Sequence, residues 1–98
     1  MKTKDKIIQC SIELFNRNGV TSVTTNHIAK AVNVSPGNLY FHFCNKEEII
    51  RQIFKLFQKE MYALWRTKKG QKLVHPLEVL ERNYEVFWKY RFFHREIY

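Results

Sequence analysis

Hydrophobic residues recur at intervals of three and four along most of this chain, which is the spacing of amphipathic helices. The first such stretch covers residues 5–18, with polar residues between the apolar ones, and Gly19 ends it. The apolar residues of this predicted helix are Ile7, Ile8, Ile12, Leu14 and Phe15. No stretch shows the alternating pattern of a strand, so the sequence predicts an all-α fold.

Two short helices are predicted next, each beginning with a residue suited to cap it. The hydroxyls of Thr24 and Ser35 can accept backbone N–H groups, and Pro36 has the backbone angle of a first helical position. Asn33, between the two helices, tolerates the left-handed conformation in which a chain often leaves a helix. These signals predict a helix-turn-helix motif over about residues 24–43. The residues expected to pack this motif against the first helix are Ile28, Ala29, Val34, Leu39 and Phe43.

A long fourth helix is predicted to begin after Asn45. The sequence Asn-Lys-Glu-Glu resembles a capping box, in which Glu48 would reach back to the backbone of Asn45. The apolar stripe of this helix comprises Ile50, Ile53, Phe54, Phe57, Met61, Leu64 and Trp65. A loop is predicted over residues 67–72, and a fifth amphipathic stretch follows Pro76. Its apolar residues are Leu77, Leu80, Tyr84, Phe87 and Trp88. Residues 91–98 are predicted to form another turn or the start of a sixth helix.

The composition is that of an ordinary globular protein, with 45% apolar and 27% charged residues among 98. Its apolar runs are too short to span a bilayer, and charges at Asp5, Lys6 and Glu13 interrupt any signal peptide. A cytoplasmic protein is therefore expected. Cys10 and Cys44 lack a CxxC spacing and the histidines are not clustered, so no metal or cofactor is predicted and both thiols are expected to be reduced.

The formal net charge of +8 favours a polyanionic partner, because lysines and arginines that neutralise phosphates release condensed counterions. Residues 1–60 carry nine basic and five acidic residues, and residues 61–98 carry eight and four, so each part contributes +4. The charge therefore does not locate a binding site. Lys2, Lys4 and Lys6 would form either a basic arm that contacts phosphates or a frayed, solvated terminus.

The residues TTNHIAKAVNVSPGNLYFHFCNKEEII closely resemble the N-terminal domain of the tetracycline-repressor (TetR) family of bacterial regulators. The resemblance covers roughly residues 5–60. It is carried by IELF followed by Gly19, by Thr24 with Ile28, Ala29 and Ala31, and by the pattern SxGxLYxHFxxKEE over residues 35–48. The chain departs from the family pattern at Asn33, where Gly is usual, and at Pro36, where a polar or basic residue is more common.

The resemblance implies a homeodomain-like, three-helix DNA-binding domain over residues 1–46. Residues 47–98 would form a linking helix and the beginning of a helical ligand-binding and dimerisation domain that looks truncated. It also implies a sequence-specific transcriptional regulator that is not an enzyme: a ligand-responsive repressor that acts as a homodimer on an inverted-repeat operator in double-stranded DNA. Trp65, Tyr84 and Trp88 are candidates for contacts with a small-molecule inducer.

By the same resemblance, Thr25, Tyr40, His42 and Lys46 lie along the DNA backbone. Their hydroxyl, imidazole and ammonium groups are suitable donors to phosphate oxygens. Lys46 also falls in the first turn of the fourth helix, where unpaired N–H groups and the helix dipole favour an anion.

The first turn of the second motif helix usually faces base edges. Within it, Asn38 alone can make the paired contact to adenine, and Gly37 permits close approach. Phe41 would contact a thymine methyl or pack on the neighbouring surface. The complete predicted DNA-binding set is Thr24, Thr25, Asn26, Ser35, Pro36, Gly37, Asn38, Tyr40, Phe41, His42 and Lys46.

Two other classes of function compete with this interpretation. A small enzyme would need His27, His42, His75 or Cys44 as its reactive group, but none of them has an orienting carboxylate at a telling spacing. A basic helical adaptor that binds nucleic acid or anionic surfaces without sequence preference would also fit the charge. Discrimination between duplex sequences separates the regulator from the adaptor.

Overall fold

The computed structural model of the protein describes the backbone of residues 2–65, 76–93 and 95, and the side chains of residues 2–63, 83–93 and 95. Within these ranges lie five α-helices: α1 (Thr3–Asn18), α2 (Thr25–Ala31), α3 (Pro36–His42), α4 (Lys46–Trp65) and α5 (Pro76–Lys89). The all-α prediction is confirmed, and no strand occurs in the described part of the chain. The loop predicted over residues 67–72 lies outside the described residues.

The helix α1 begins two residues earlier than predicted. Lys4 is therefore helical, as Lys6 is, so neither belongs to a frayed terminus, and the Lys4 ammonium lies 5.7 Å from the centre of the Phe43 ring. Phosphate contacts by these lysines stay a prediction. Gly19 ends the helix with a φ of 87°, and its N–H donates to the Phe15 carbonyl at 3.0 Å. A positive φ is costly for residues with a Cβ, which explains the glycine at this position.

Local capping fixes the ends of α2 and α3. The Thr24 hydroxyl accepts the His27 N–H at 3.1 Å, while the Thr24 N–H donates to His27 Nδ1 at 3.2 Å, so the two residues form a capping box. The Ser35 hydroxyl accepts the Asn38 N–H at 3.0 Å. Between the helices Asn33 has a φ of 61°, which confirms the left-handed turn predicted there.

At the start of α4 only half of the predicted capping box forms. Asn45 Oδ1 accepts the Glu48 N–H at 2.8 Å, as predicted. The Glu48 carboxylate does not reach back to Asn45, because it binds Gln52 at 3.2 Å and Arg51 at 3.3 Å. Residues three and four positions apart lie side by side on a helix, so these two donors compete successfully for the carboxylate.

The core joins α1, α2, α3, α4 and the residues that follow α5. Its buried apolar residues are Ile7, Ile8, Ile12, Phe15, Val23, Ile28, Ala29, Leu39, Phe43, Ile49, Ile53, Tyr90, Phe92 and Phe93. The predicted packing of the motif against Phe15 is confirmed, with Val34 only half buried. The predicted α4 stripe omitted Ile49, which is fully buried, and Leu56, which packs against the core, and it included Phe54, which is exposed. The side chains of Leu64 and Trp65 lie outside the described residues.

The chain continues past α5 with a turn at Tyr90 and further helical residues. Phe92 stacks on Phe93 and lies 5.3 Å from Phe15, centre to centre, so this segment packs against the end of α1. None of the described helices is long and apolar enough to cross a membrane. Cys10 and Cys44 are both free thiols, and burial raises the pKa of Cys10.

Candidate nucleic-acid interface

The outer face of α3 is defined by the single residue that the helix buries. Leu39 is fully buried, and Phe43 is buried just after the helix ends. With about 3.6 residues per turn, Gly37 and Phe41 lie on the side of the helix opposite these two anchors. Asn38 is also exposed and lies beside them. Three residues predicted to face bases therefore share one solvent-facing surface.

Three consecutive aromatic rings occupy the second half of α3. Phe41 is 85% exposed, and its ring meets the His42 ring edge-on with the centres 5.3 Å apart. Tyr40 is exposed on the neighbouring side of the helix. A large apolar ring held in water next to polar ring atoms is suited to contact a partner that has both apolar and polar groups, and the edge of a thymine base has both.

Gly37 has no structural reason to be glycine. A Cβ built there meets no heavy atom within 4 Å, and its backbone does not have a positive φ. Glycine inside a helix costs about 0.5–1 kcal/mol relative to alanine, so alanine would suit the isolated fold better. The space above Gly37 is therefore available to a molecule that approaches α3 from outside.

The hydroxyls of Thr25 and Tyr40 lie 3.0 Å apart and join the start of α2 to α3. Either hydroxyl can be the donor, so one of the two hydrogens is used and the other is left for an external acceptor. These two residues were predicted from the sequence to bind the DNA backbone. The structure brings them together at the edge of the α3 surface.

Lys46 has a structural role that the sequence did not reveal. Its ammonium donates to the carbonyl of Val20 at 2.9 Å and to that of Val23 at 3.1 Å, and so ties the start of α4 to the turn between α1 and α2. An ammonium has three donors, which leaves one for a phosphate. Phosphate binding by Lys46 stays a prediction.

The substitution Lys46→Met is expected to lower the free energy of unfolding by roughly 1–2 kcal/mol, because it leaves two carbonyls without their charged donor. Chemical denaturation measures this change. Lys55→Met is the matched control, since Lys55 is exposed on the same helix. Equal stabilities of the two variants would contradict the structural role of Lys46.

The remaining predicted residues fall into two groups. The hydroxyls of Thr24 and Ser35 serve as helix caps, whereas Asn26 and Pro36 are exposed. His27 was considered only as a reactive group, but its ring completes the cap of α2. The Thr-x-x-His spacing was the signal for this cap, with histidine in the place that glutamate or glutamine usually takes.

Of the three candidate inducer contacts, the structure describes the side chains of Tyr84 and Trp88, and both are exposed. Tyr84 is 69% and Trp88 58% exposed, and the Arg91 guanidinium lies 4.3 Å above the Trp88 ring. The side chain of Trp65 lies outside the described residues. Inducer binding by these residues stays a prediction.

The sequence of this chain is similar to those of bacterial regulatory proteins. The family described as "Bacterial regulatory proteins, tetR family" matches residues 7–53. The HTH-type transcriptional regulator QacR of Staphylococcus aureus is 36% identical over 69 residues, which are 70% of this chain and 37% of that protein. The biofilm operon icaADBC HTH-type negative transcriptional regulator IcaR of Staphylococcus epidermidis is 47% identical over 49 residues, which are 50% of this chain and 26% of that protein.

Solved structures share the fold. A TetR-family transcriptional regulator from Marinobacter aquaeolei VT8 superposes with a TM-score of 0.87 at 44% identity, over 99% of this chain and 49% of that one. A transcriptional regulator from Aquifex aeolicus VF5 gives a TM-score of 0.75 at 34% identity, over 93% of this chain and 53% of that one. The chain thus spans about half of the length of these structural relatives.

Proposed function

The chain belongs to the TetR family of bacterial regulatory proteins, and on that basis we propose that it is a sequence-specific DNA-binding regulator of transcription. The observation that carries the proposal is the surface of α3, where Phe41 is 85% exposed and the space above Gly37 is open. A fold without a partner would gain nothing from either feature. When this helix lies in a major groove, the Phe41 ring can contact a base and the DNA can approach the backbone at Gly37.

In this proposal the exposed residues divide into those that read bases and those that hold the DNA backbone. Asn38 pairs with the edge of an adenine, and Phe41 contacts a thymine methyl. The hydroxyl pair of Thr25 and Tyr40 donates its spare hydrogen to a phosphate, and His42 donates to another phosphate oxygen. No lysine or arginine lies in α3, so guanine is not read by the usual charged contact.

The finer properties of the regulator follow from the family and from the geometry of duplex DNA. We propose a repressor that acts as a homodimer on an inverted repeat in the cytoplasm and responds to a small molecule. One relative, IcaR, is named as a negative regulator, which supports repression. A dimer must place its two α3 helices about 34 Å apart or a multiple of this, so a ligand that alters their spacing would release the operator.

Selection of random duplex DNA by the protein at near-physiological salt tests the proposal. The expected result is an enriched motif with inverted-repeat symmetry. Asn38→Ala should relax the preference at one base pair, with a loss of discrimination of roughly 1–3 kcal/mol, because its side chain makes no contact needed by the fold. Its backbone N–H, which donates to the capping hydroxyl of Ser35, is unchanged.

The matched control is Gln58→Ala, which changes an exposed amide on α4. It should leave both the selected motif and the affinity unchanged. Failure to enrich any sequence, together with binding that simply fades as salt rises, would contradict the regulator and favour the non-specific basic adaptor.

A further inference from the structure

Asn16 is an unusual polar residue in the core, since it is only 7% exposed near the end of α1. Its side chain crosses to the other end of the chain. Nδ2 donates to the Lys89 carbonyl at 2.7 Å, and Oδ1 accepts the Phe92 N–H at 3.1 Å. The donor and the acceptor of the amide are thus both used, by the last residue of α5 and by the backbone just after it.

The two backbone groups bound by Asn16 are available because α5 ends there. Lys89 is the last residue of α5, and the Phe93 N–H donates to Tyr90 three residues back, at 3.1 Å. A buried carbonyl or N–H without a partner destabilises the fold, because the hydrogen bond it made to water is not replaced. The Asn16 amide satisfies one of each, so its contacts are specific to this bend in the backbone.

Arg95, which follows α5, makes a second link between the two segments, in which its side chain binds the backbone of α1. Its Nη2 donates to the carbonyls of Phe15 and Asn16 at 3.2 and 3.1 Å, in the last turn of α1. A cation is favourable at this end of a helix because the carbonyls carry the negative end of its dipole. Lys89, Phe92 and Arg95 are therefore joined to the end of α1 through side chains from both segments. We call these two side chains, Asn16 and Arg95, the α1–α5 clasp.

We propose that Asn16 is a positioning residue for DNA binding, which couples the end of α5 to the orientation of the helix-turn-helix. This inference rests on the function proposed above. The helix α1 packs on α2 through the core, and the Thr25–Tyr40 pair joins α2 to α3. A shift of the end of α5 thus reaches α3 by way of the clasp, along a path separate from the covalent path through α4.

NMR spectra of the backbone amides test the coupling directly, with the duplex selected by the unsubstituted protein as the probe. The expected result is that the duplex shifts the Phe92 amide resonance of the unsubstituted protein. In Asn16→Leu the shift should disappear, and the affinity for the duplex should fall about tenfold, within the usual range of coupling between sites.

Ser11→Ala is the matched control. Ser11 is fully buried on the same helix, but its hydroxyl bonds only to the Ile7 carbonyl within α1. This variant should keep the DNA-dependent shift of Phe92. A purely structural Asn16 would lower the stability of Asn16→Leu while the shift remained, and that outcome would overturn the proposal.

Two further results keep the test decisive. If duplex DNA shifts the α3 amides of the unsubstituted protein but not Phe92, the coupling is wrong and the proposed function stands. If no amide responds to any duplex, the proposed function fails and this inference fails with it. Should Asn16→Leu not fold, Asn16→Ala replaces it, because the smaller side chain removes both hydrogen bonds without added bulk, and a Phe92 shift as large as in the unsubstituted protein would overturn the proposal.

Discussion

Replacement of Leu39 by alanine is expected to lower the free energy of unfolding by roughly 2–5 kcal/mol, a large share of the stability of a small protein. Leu39 is the one residue of α3 that is buried, and it is fully buried. Its loss leaves a cavity between α3 and the core, and it removes the side chain that holds the seven-residue helix in place. Urea denaturation measures the change.

Leu39→Met is the matched variant for this experiment. It conserves most of the volume and should cost less than about 1.5 kcal/mol. The test is whether the alanine variant loses more free energy of unfolding than the methionine variant, since only alanine leaves a cavity. Equal losses in the two variants would mean that α3 is not anchored through Leu39.

The substitution Gly37→Ala is expected to change stability and DNA binding in opposite directions. The fold should gain up to about 0.5–1 kcal/mol, because alanine favours the helix and meets nothing within 4 Å. Affinity for the selected duplex should fall roughly tenfold or more, since one methyl group forced into a packed interface costs about 1–3 kcal/mol.

Thermal denaturation and a binding titration on the same sample measure both effects. The opposite signs serve as an internal control, because a variant that is misfolded loses both properties. Ser35→Ala gives the contrasting pattern, since removal of the α3 cap should lower stability by about 1 kcal/mol. Unchanged affinity in Gly37→Ala would show that no partner approaches the helix at this position.

The sequence predicted the motif well because local chemistry determines it. Thr24 and Ser35 cap helices that begin one residue later, and Asn33 adopts the left-handed turn between them. Each of these features depends on neighbours within about four positions. The prediction that Glu48 would bind the backbone of Asn45 was wrong. Arg51 and Gln52 are equally close in sequence, and the spacing alone could not show that the Glu48 carboxylate would bind them instead.

Features that depend on distant partners could not be predicted in this way. The carbonyls bound by Lys46 lie 23 and 26 residues away in sequence, and the groups bound by Asn16 lie 73 and 76 residues away. At the start of α4, two adjacent isoleucines fit the helical period equally well. Only the packing of α4 against α1 decides that Ile49 is the buried one. The domain boundary at residue 46 stays a prediction.

The burial pattern of α3 also has an evolutionary consequence. Leu39 is buried and His42 is partly buried, so the five exposed positions of the helix can change without opening a cavity. Most substitutions at exposed positions alter stability by no more than about 0.5 kcal/mol. On the function proposed above, the exposed residues that would read DNA can therefore change through many steps that are nearly neutral for stability, while one leucine preserves the scaffold.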